Sequence, residues 1–180
     1  MAAIRRAFGN RLSRRKKLGE ILVEEGYLSL EQLEGAKEEQ KASGTLLGEI
    51  LVASGYVTEW EVAKCMVMQL QLPFIYTTLY DIPRSVVSLL PHAFLHQHRI
   101  IPIDLFGKCL VLATAGDISE DVVTEIEEST GYEVGLYVAL TSDIQKSLSE
   151  RFPLEKVTKE LSQKFDQLFD GFGGDLKPSD

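Results

Sequence analysis

Two glutamines, Gln40 and Gln69, have the residue type and placement to read a ligand. A side-chain amide carries donor and acceptor together, which suits the edge of a base. A lone glutamine at a helix end is ordinarily solvated. These two stand 29 residues apart, and each closes a copy of one pattern. Leu18-Gly19-Glu20-Ile21-Leu22-Val23 returns as Leu47-Gly48-Glu49-Ile50-Leu51-Val52. Gly26-Tyr27 returns as Gly55-Tyr56, Ser29 as Thr58 and Leu33 as Val62. A unit repeated at this period is a supersecondary element used twice, and it can offer two matched half-sites to one ligand. Gly19 and Gly48 need a reason of their own. A glycine inside a helix costs about 0.5–1 kcal/mol relative to alanine. Its repetition at one register means that something approaches the backbone there, either a neighbouring helix or a ligand.

Other reactive side chains are less organised. His92 and His96 are spaced i, i+4, with His98 nearby, but the segment is otherwise apolar and carries no carboxylate, so structural or surface histidines are expected rather than a metal site. Cys65 and Cys109 lie far apart in apolar runs and read as buried free thiols. No serine–histidine–aspartate context and no Gly-x-x-x-x-Gly-Lys-Ser/Thr phosphate loop occurs. No catalytic residue and no metal ligand is therefore assigned.

The elements that must position the glutamines follow from periodicity. Leu18, Ile21 and Leu22 share one helical face, as do Leu47, Ile50 and Leu51. Gly26 and Gly55 are helix stops, where a left-handed residue is tolerated without a Cβ. Ser29 with Gln32, and Thr58 with Glu61, have capping-box spacing and open a second helix in each unit. Leu30, Leu33 and Ala36 line the apolar side of the first of these. The second holds Trp60, Val62, Ala63, Cys65, Met66, Val67, Met68 and Leu70 and so is expected to be surrounded by protein. Two helical hairpins packed as a four-helix bundle result.

Beyond Leu72 the pattern changes. Pro73 ends the helical run, and Phe74-Ile75-Tyr76 is a short β-like piece. Residues 83–90 and 91–98 each begin with proline, favoured in a helix's first turn. Residues 99–105 and 108–113 predict a hairpin around Phe106-Gly107. A helix over 118–129, a strand over 133–140 and a helix over 142–152, capped by Ser142, complete a small mixed sheet backed by helices. The fold class is α+β: an N-terminal bundle of two tandem helical hairpins, then a small mixed α/β subdomain. The divisions are a basic extension (1–16), a tandem-repeat helical subdomain (17–72), a small α/β subdomain (73–152) and a C-terminal helix with a tail or linker (153–180).

Charge is placed unevenly along the 180 residues. Residues 1–19 carry seven cations and no acid, while the remainder holds twelve cations against 27 acids. A body with a balance of −15 is a poor binder of DNA or RNA, which needs a basic face. No stretch approaches the ~18 apolar residues of a membrane span, and the basic start lacks the apolar block of a signal peptide. A cytoplasmic protein is expected. Ile4, Phe8 and Leu12 make a thin apolar stripe among the N-terminal arginines, and Leu161, Phe165, Leu168, Phe169 and Phe172 lie at helical spacing near the other end.

In the spacing of its two units the chain resembles the N-terminal, MshEN-type domain of type II secretion and type IV pilus assembly ATPases. That family has two tandem motifs of the form Arg-Leu-Gly, aliphatics, Gly, a spaced Leu and a closing Gln, five residues apart. Here Lys17 to Gln40 and Leu46 to Gln69 are separated by Lys41 to Thr45. The resemblance implies cyclic di-GMP as ligand and no other cofactor. It assigns Lys17, Leu18, Gly19, Leu22, Gly26, Leu33 and Gln40 to one half of the dinucleotide. Leu46, Leu47, Gly48, Leu51, Gly55, Val62 and Gln69 fall to the other. Aliphatic side chains would cover base and ribose faces, and the glycines would admit close backbone approach. The family's leading arginine is Lys17 in the first unit and Leu46 in the second, and Lys37 and Met66 stand where it prefers leucine. Loss of a charge-assisted hydrogen bond costs about 1.5–3 kcal/mol, roughly 10- to 100-fold in affinity. Arg14 or Arg15 can compensate for one such loss. The ATPase domain of the family is absent from these residues.

The function implied is a non-catalytic regulatory domain that binds cyclic di-GMP across two motifs and couples it to a partner or a motor. The alternative is a protein-docking adaptor of a secretion or pilus machine with a degenerate nucleotide site. Either reading expects a protein partner from such a machine, and a location in the cytoplasm or peripheral to the inner membrane through partners.

Overall fold

The computed structural model describes residues 16–154. The apolar stripes at 4–12 and 161–172 lie outside the described residues. The described fold is α+β, with eight α-helices and one three-stranded sheet.

The first unit folds as α1 (Leu18–Glu24) and α2 (Leu30–Ser43), the second as α3 (Leu47–Ala53) and α4 (Glu59–Leu70). Local chemistry sets each boundary. Gly26 and Gly55 turn the chain at φ +77° and +70°, a region that side chains with a Cβ avoid. Ser29 accepts from the Gln32 backbone N–H while the Gln32 side chain accepts from the Ser29 N–H. Thr58 and Glu61 repeat the exchange. Such a cap stabilises a helix by about 1 kcal/mol. Gly44 ends α2 at φ +70° and Gln71 ends α4 at φ +55°, before Pro73.

The hairpins pack by exchange. α1 lies chiefly on α4 and α2 chiefly on α3, so the first helix of each unit leans on the second helix of the other. Equivalent positions fill one core: Ile21 and Ile50, Leu22 and Leu51, Leu28 and Val57, Leu33 and Val62, Ala36 and Cys65 are all buried. The equivalence fails where the second half docks. Ala63 and Met66 are buried, while their counterparts Glu34 and Lys37 face solvent.

The second half begins with Phe74, which bridges to Val138; Ile75 donates to the Val138 carbonyl and Val138 to that of Pro73. A 3-10 turn (Thr77–Leu79) and helices α5 (Arg84–Val87) and α6 (His92–His98) follow. Strand β1 (Ile100–Phe106) pairs antiparallel with β2 (Cys109–Thr114). Helix α7 (Glu120–Thr130) carries the crossover to β3 (Glu133–Val138), parallel to β2. A parallel pair requires such a connection. Pro102, with no N–H to donate, sits on the edge strand at a register shift between Pro102 and Asp104. Helix α8 (Thr141–Arg151) closes the layer. Ile100, Ile101, Leu110, Leu112, Ile126, Ile144 and Phe152 form its core. Val138 belongs instead to the helical core, so β3 stitches the two together.

Several expectations are corrected. Leu30 is 67% exposed, because its place in the first turn of α2 faces away from the hairpin contact. Trp60 and Met68 are also exposed, so α4 is covered on two sides rather than all round. The helix expected over 83–90 is a single turn, and Pro83 and Pro91 sit at the N-cap, one position before the first turn. Leu140, not Ser142, precedes α8, because Ser142 gives its N–H and hydroxyl to the Glu59 carboxylate. The helix expected from Ile118 starts at Glu120 with Ser119 as its cap. Cys65 is buried, but Cys109 is partly exposed.

Candidate functional site

The paired glycines do not open onto a cleft. Gly19 is buried, and a Cβ there would overlap Cδ1 of Leu33 on the facing helix. At Gly48 a Cβ would come within 2.9 Å of Cγ1 of Val62. Each glycine lets the two helices of its own unit cross closely, and the side chain that fills the space is the motif's spaced aliphatic. Leu22 and Leu51 are 0% exposed. The pocket expected from matched backbone gaps is thus occupied by this protein's own Leu33 and Val62. Gly26 and Gly55 are exposed in their turns, with open space where a Cβ would sit.

The remaining motif residues form two rims. Lys17 is exposed, Leu18 half-buried, and Leu46, Leu47, Gln40 and Gln69 half-buried. Gln69 donates through Nε2 to the carbonyl of Lys16 at 3.0 Å, and Gln40 donates to the carbonyl of Thr45 at 3.3 Å. Residues 16 and 45 are themselves 29 apart. Each unit's closing glutamine therefore holds the backbone just ahead of the other unit's motif. The two latches are equivalent under the exchange that relates the hairpins. The repeat alone could not reveal them, since Lys16 and Thr45 lie outside the matched pattern.

Electrostatics distinguish the rims. In the first unit the Lys17 N–H donates to Glu20 Oε2, and Lys16 pairs with Glu24 at 2.7 Å. In the second, Glu49 stands where the first has Glu20, and it pairs with Nη1 of Arg99 at 2.5 Å. Arg99 holds φ +52° at the end of α6 and crosses from the other half of the molecule. Its cation reaches the second unit from a sequence distance that no local pattern reveals. Leu46, the counterpart of Lys17, points at Gly116, whose Cβ position lies 3.4 Å from Leu46 Cδ1. Lys64 joins the hairpins, donating to the Tyr27 hydroxyl and pairing with Glu25 at 3.6 Å. The bond to Tyr27 raises the Lys64 pKa first, with Glu25 adding to it.

The histidines serve packing. His96 Nε2 lies 2.8 Å from the Phe152 carbonyl, and His92 Nδ1 lies 3.4 Å from that of Pro153. They anchor the chain leaving α8. Among the described residues no group of three His, Cys, Asp or Glu side chains is arranged to hold a metal, and no helix is long and apolar enough to cross a membrane. Burial raises the pKa of both thiols, Cys65 and Cys109.

Residues 70–158 match the MshEN domain. The chain is 28% identical to the type IV pilus assembly ATPase PilB of Myxococcus xanthus (strain DK1622), an alignment that covers 84% of this chain and 30% of that protein. It is 29% identical to the PilB of Thermus thermophilus, over 77% of this chain and 16% of the other. The chain thus spans less than a third of these relatives' length. Among solved structures it is similar to MshE with cdg, with a TM-score of 0.64 and 27% identity over 77% of this chain and all of the other. It is similar to the N-terminal domain of XpsE at TM-score 0.62 and 26% identity, over 73% of this chain and 91% of that one. The family match falls on the α/β half, whereas the MshE likeness covers more of the chain than residues 70–158 and so reaches into the hairpin region.

Proposed function

From a chain whose residues 70–158 are of the MshEN domain, and which is homologous to N-terminal regions of pilus and secretion ATPases, we propose a non-catalytic regulatory domain that binds cyclic di-GMP across its two hairpins and passes the bound state to a partner or a motor. The observation that carries this reading is the reciprocal latch of Gln40 on Thr45 and Gln69 on Lys16. Cyclic di-GMP has two equivalent halves, and the two glutamine latches are equivalent under exchange of the hairpins. The structure of MshE with cdg, similar along its whole length, supports the same ligand class. On this reading Lys17, Leu18 and Gln40, with Leu46, Leu47 and Gln69, meet the ligand. Gly19, Leu22 and Leu33, with Gly48, Leu51 and Val62, act behind them by setting the helix crossings, and Gly26 and Gly55 act by turning the chain. An amide that turns to a base edge releases the other unit's carbonyl, so the ligand is favoured in one arrangement of the hairpins over another. Unequal affinity for two arrangements is what couples binding to a partner.

A second reading, a protein-docking adaptor, draws on the packing of Leu46 against Gly116, which leaves the second rim without the family's cation. Calorimetric titration of the whole chain with cyclic di-GMP decides. The expected outcome is measurable binding, with Gln40→Ala and Gln69→Ala each losing about 10- to 100-fold in affinity while keeping a cooperative melt. Absence of heat at high micromolar ligand ends the sensor reading and leaves the adaptor.

A further inference from the structure

The two rims differ in charge. The first opens with Lys17, an exposed cation, and the second with Leu46, whose side chain lies against Gly116. The acids three residues on differ as well. Glu20 accepts from the Lys17 N–H, while Glu49 pairs with Arg99 instead. The fold thus delivers a cation to the second unit from the sheet side, close to the residue that lacks one.

Two features say that this guanidinium does more than tie the halves together. The first is its backbone. Arg99 ends α6 at φ +52°, in the left-handed region, where a residue with a Cβ is strained and glycine is not. Such a conformation persists only where the surroundings compensate for it. An ion pair with one partner 39% exposed contributes less than that strain costs. The Glu49 contact alone does not account for an arginine here. The second feature is the unused part of the side chain. Nη1 and Glu49 Oε1 are buried against each other, yet two-fifths of the arginine stays open. Among the described residues Nη2 and Nε meet no acceptor. A guanidinium carries five N–H donors in a planar fork, so donors remain for a second anion. Phosphate is an anion that such a fork fits bidentately.

We infer that Arg99 is the phosphate-binding cation of the second half-site, reaching the ligand with the donors that Glu49 leaves free. The inference rests on the cyclic di-GMP reading given above. That ligand carries one phosphodiester for each half, and Lys17 stands at the first rim as Arg99 does at the second. Glu49 sets its carboxylate beside the same anion and so opposes binding. The second half-site is therefore shared between the hairpins and the sheet side, which makes the joint between them sensitive to the ligand.

Calorimetric titration of the whole chain with cyclic di-GMP tests this, with a thermal melt of each variant. Arg99→Gln should lose about 10- to 100-fold in affinity. Arg99→Lys keeps the charge and can still meet Glu49 but lacks the fork, and should lose about tenfold. Glu49→Gln breaks the same pair yet removes a repelling charge, so it should bind as tightly as the parent or more tightly. A purely structural arginine requires the opposite: Glu49→Gln and Arg99→Gln would then weaken binding alike, and that result overturns the inference. Unchanged affinity in the Arg99 variants overturns it too. If Arg99→Gln does not melt cooperatively, Arg99→Lys set against Glu49→Gln decides the same question. A parent that gives no heat ends the sensor reading itself, whereas a parent that binds with indifferent Arg99 variants ends this inference alone.

Discussion

Single residues carry the clearest departure from what a ligand site would suggest. Gly19 and Gly48 sit under Leu33 and Val62, so the notch at each motif is filled from within the unit. Alanine gains about 0.5–1 kcal/mol of helix propensity over glycine. Against this, forcing a methyl into a close-packed contact costs about 1–3 kcal/mol. Val62 is β-branched and stiff at χ1, and Leu33 is buried, so neither side chain yields easily. Gly19→Ala and Gly48→Ala should therefore lower stability in denaturant melts. A variant at either position that gains stability would show that the crossing is loose. The same two glycines illustrate what was legible and what was not. Their repetition signalled a close approach, but a one-dimensional pattern treats a neighbouring helix and a ligand alike. Leu33 stands in the same motif as Gly19, and nothing in the spacing says that one plugs the other.

Elements were the most legible level. The capping boxes, the glycine turns and the strand hairpin follow from contacts within four residues, which the sequence states directly. The two boxes also differ in a way that has a consequence. The first closes with Gln32, which does not ionise, and the second with Glu61. Backbone and then side-chain hydrogen bonds from Thr58 hold the Glu61 pKa below its usual 4.5. A depressed folded-state pKa contributes stability above the unfolded value, and that contribution is lost as pH falls through the folded one. Acidification below about 4.5 should fray α4 before α2, and Glu61→Gln should flatten that part of the stability–pH curve. Thermal melts between neutral pH and pH 3 check this; identical curves for the variant and the parent would refute it. Elements whose limits depended on distant partners were misread. Ser142 has the chemistry of a cap, yet its hydroxyl is drawn to Glu59, 83 residues away. The 83–90 segment has an initiating proline but shortens to one turn, with Pro91 opening the next helix.

At the scale of the whole molecule, the exchange symmetry of the hairpins is broken wherever the sheet side docks. Glu49 pairs with Arg99, Leu46 rests by Gly116, Trp60 leans on Phe74, and Val138 enters the helical core. The Glu49 side chain is 16% exposed and that of Arg99 39%, so solvent screens the pair on one side. A double-mutant cycle on Glu49→Gln and Arg99→Gln should give a coupling of about 0.5–1 kcal/mol. A coupling near zero would mean that this ion pair does not help to join the two halves. By itself the sequence determined that two like hairpins precede an α+β layer, because capping, turning and periodicity are written over short spans. Only the tertiary structure decided that the motif glycines meet side chains, that each glutamine latches the opposite unit, and that Arg99 serves the second rim. Those outcomes depend on which surfaces meet, with partners as far apart as Lys16 and Gln69 or Glu49 and Arg99, and packing sets that for the chain as a whole.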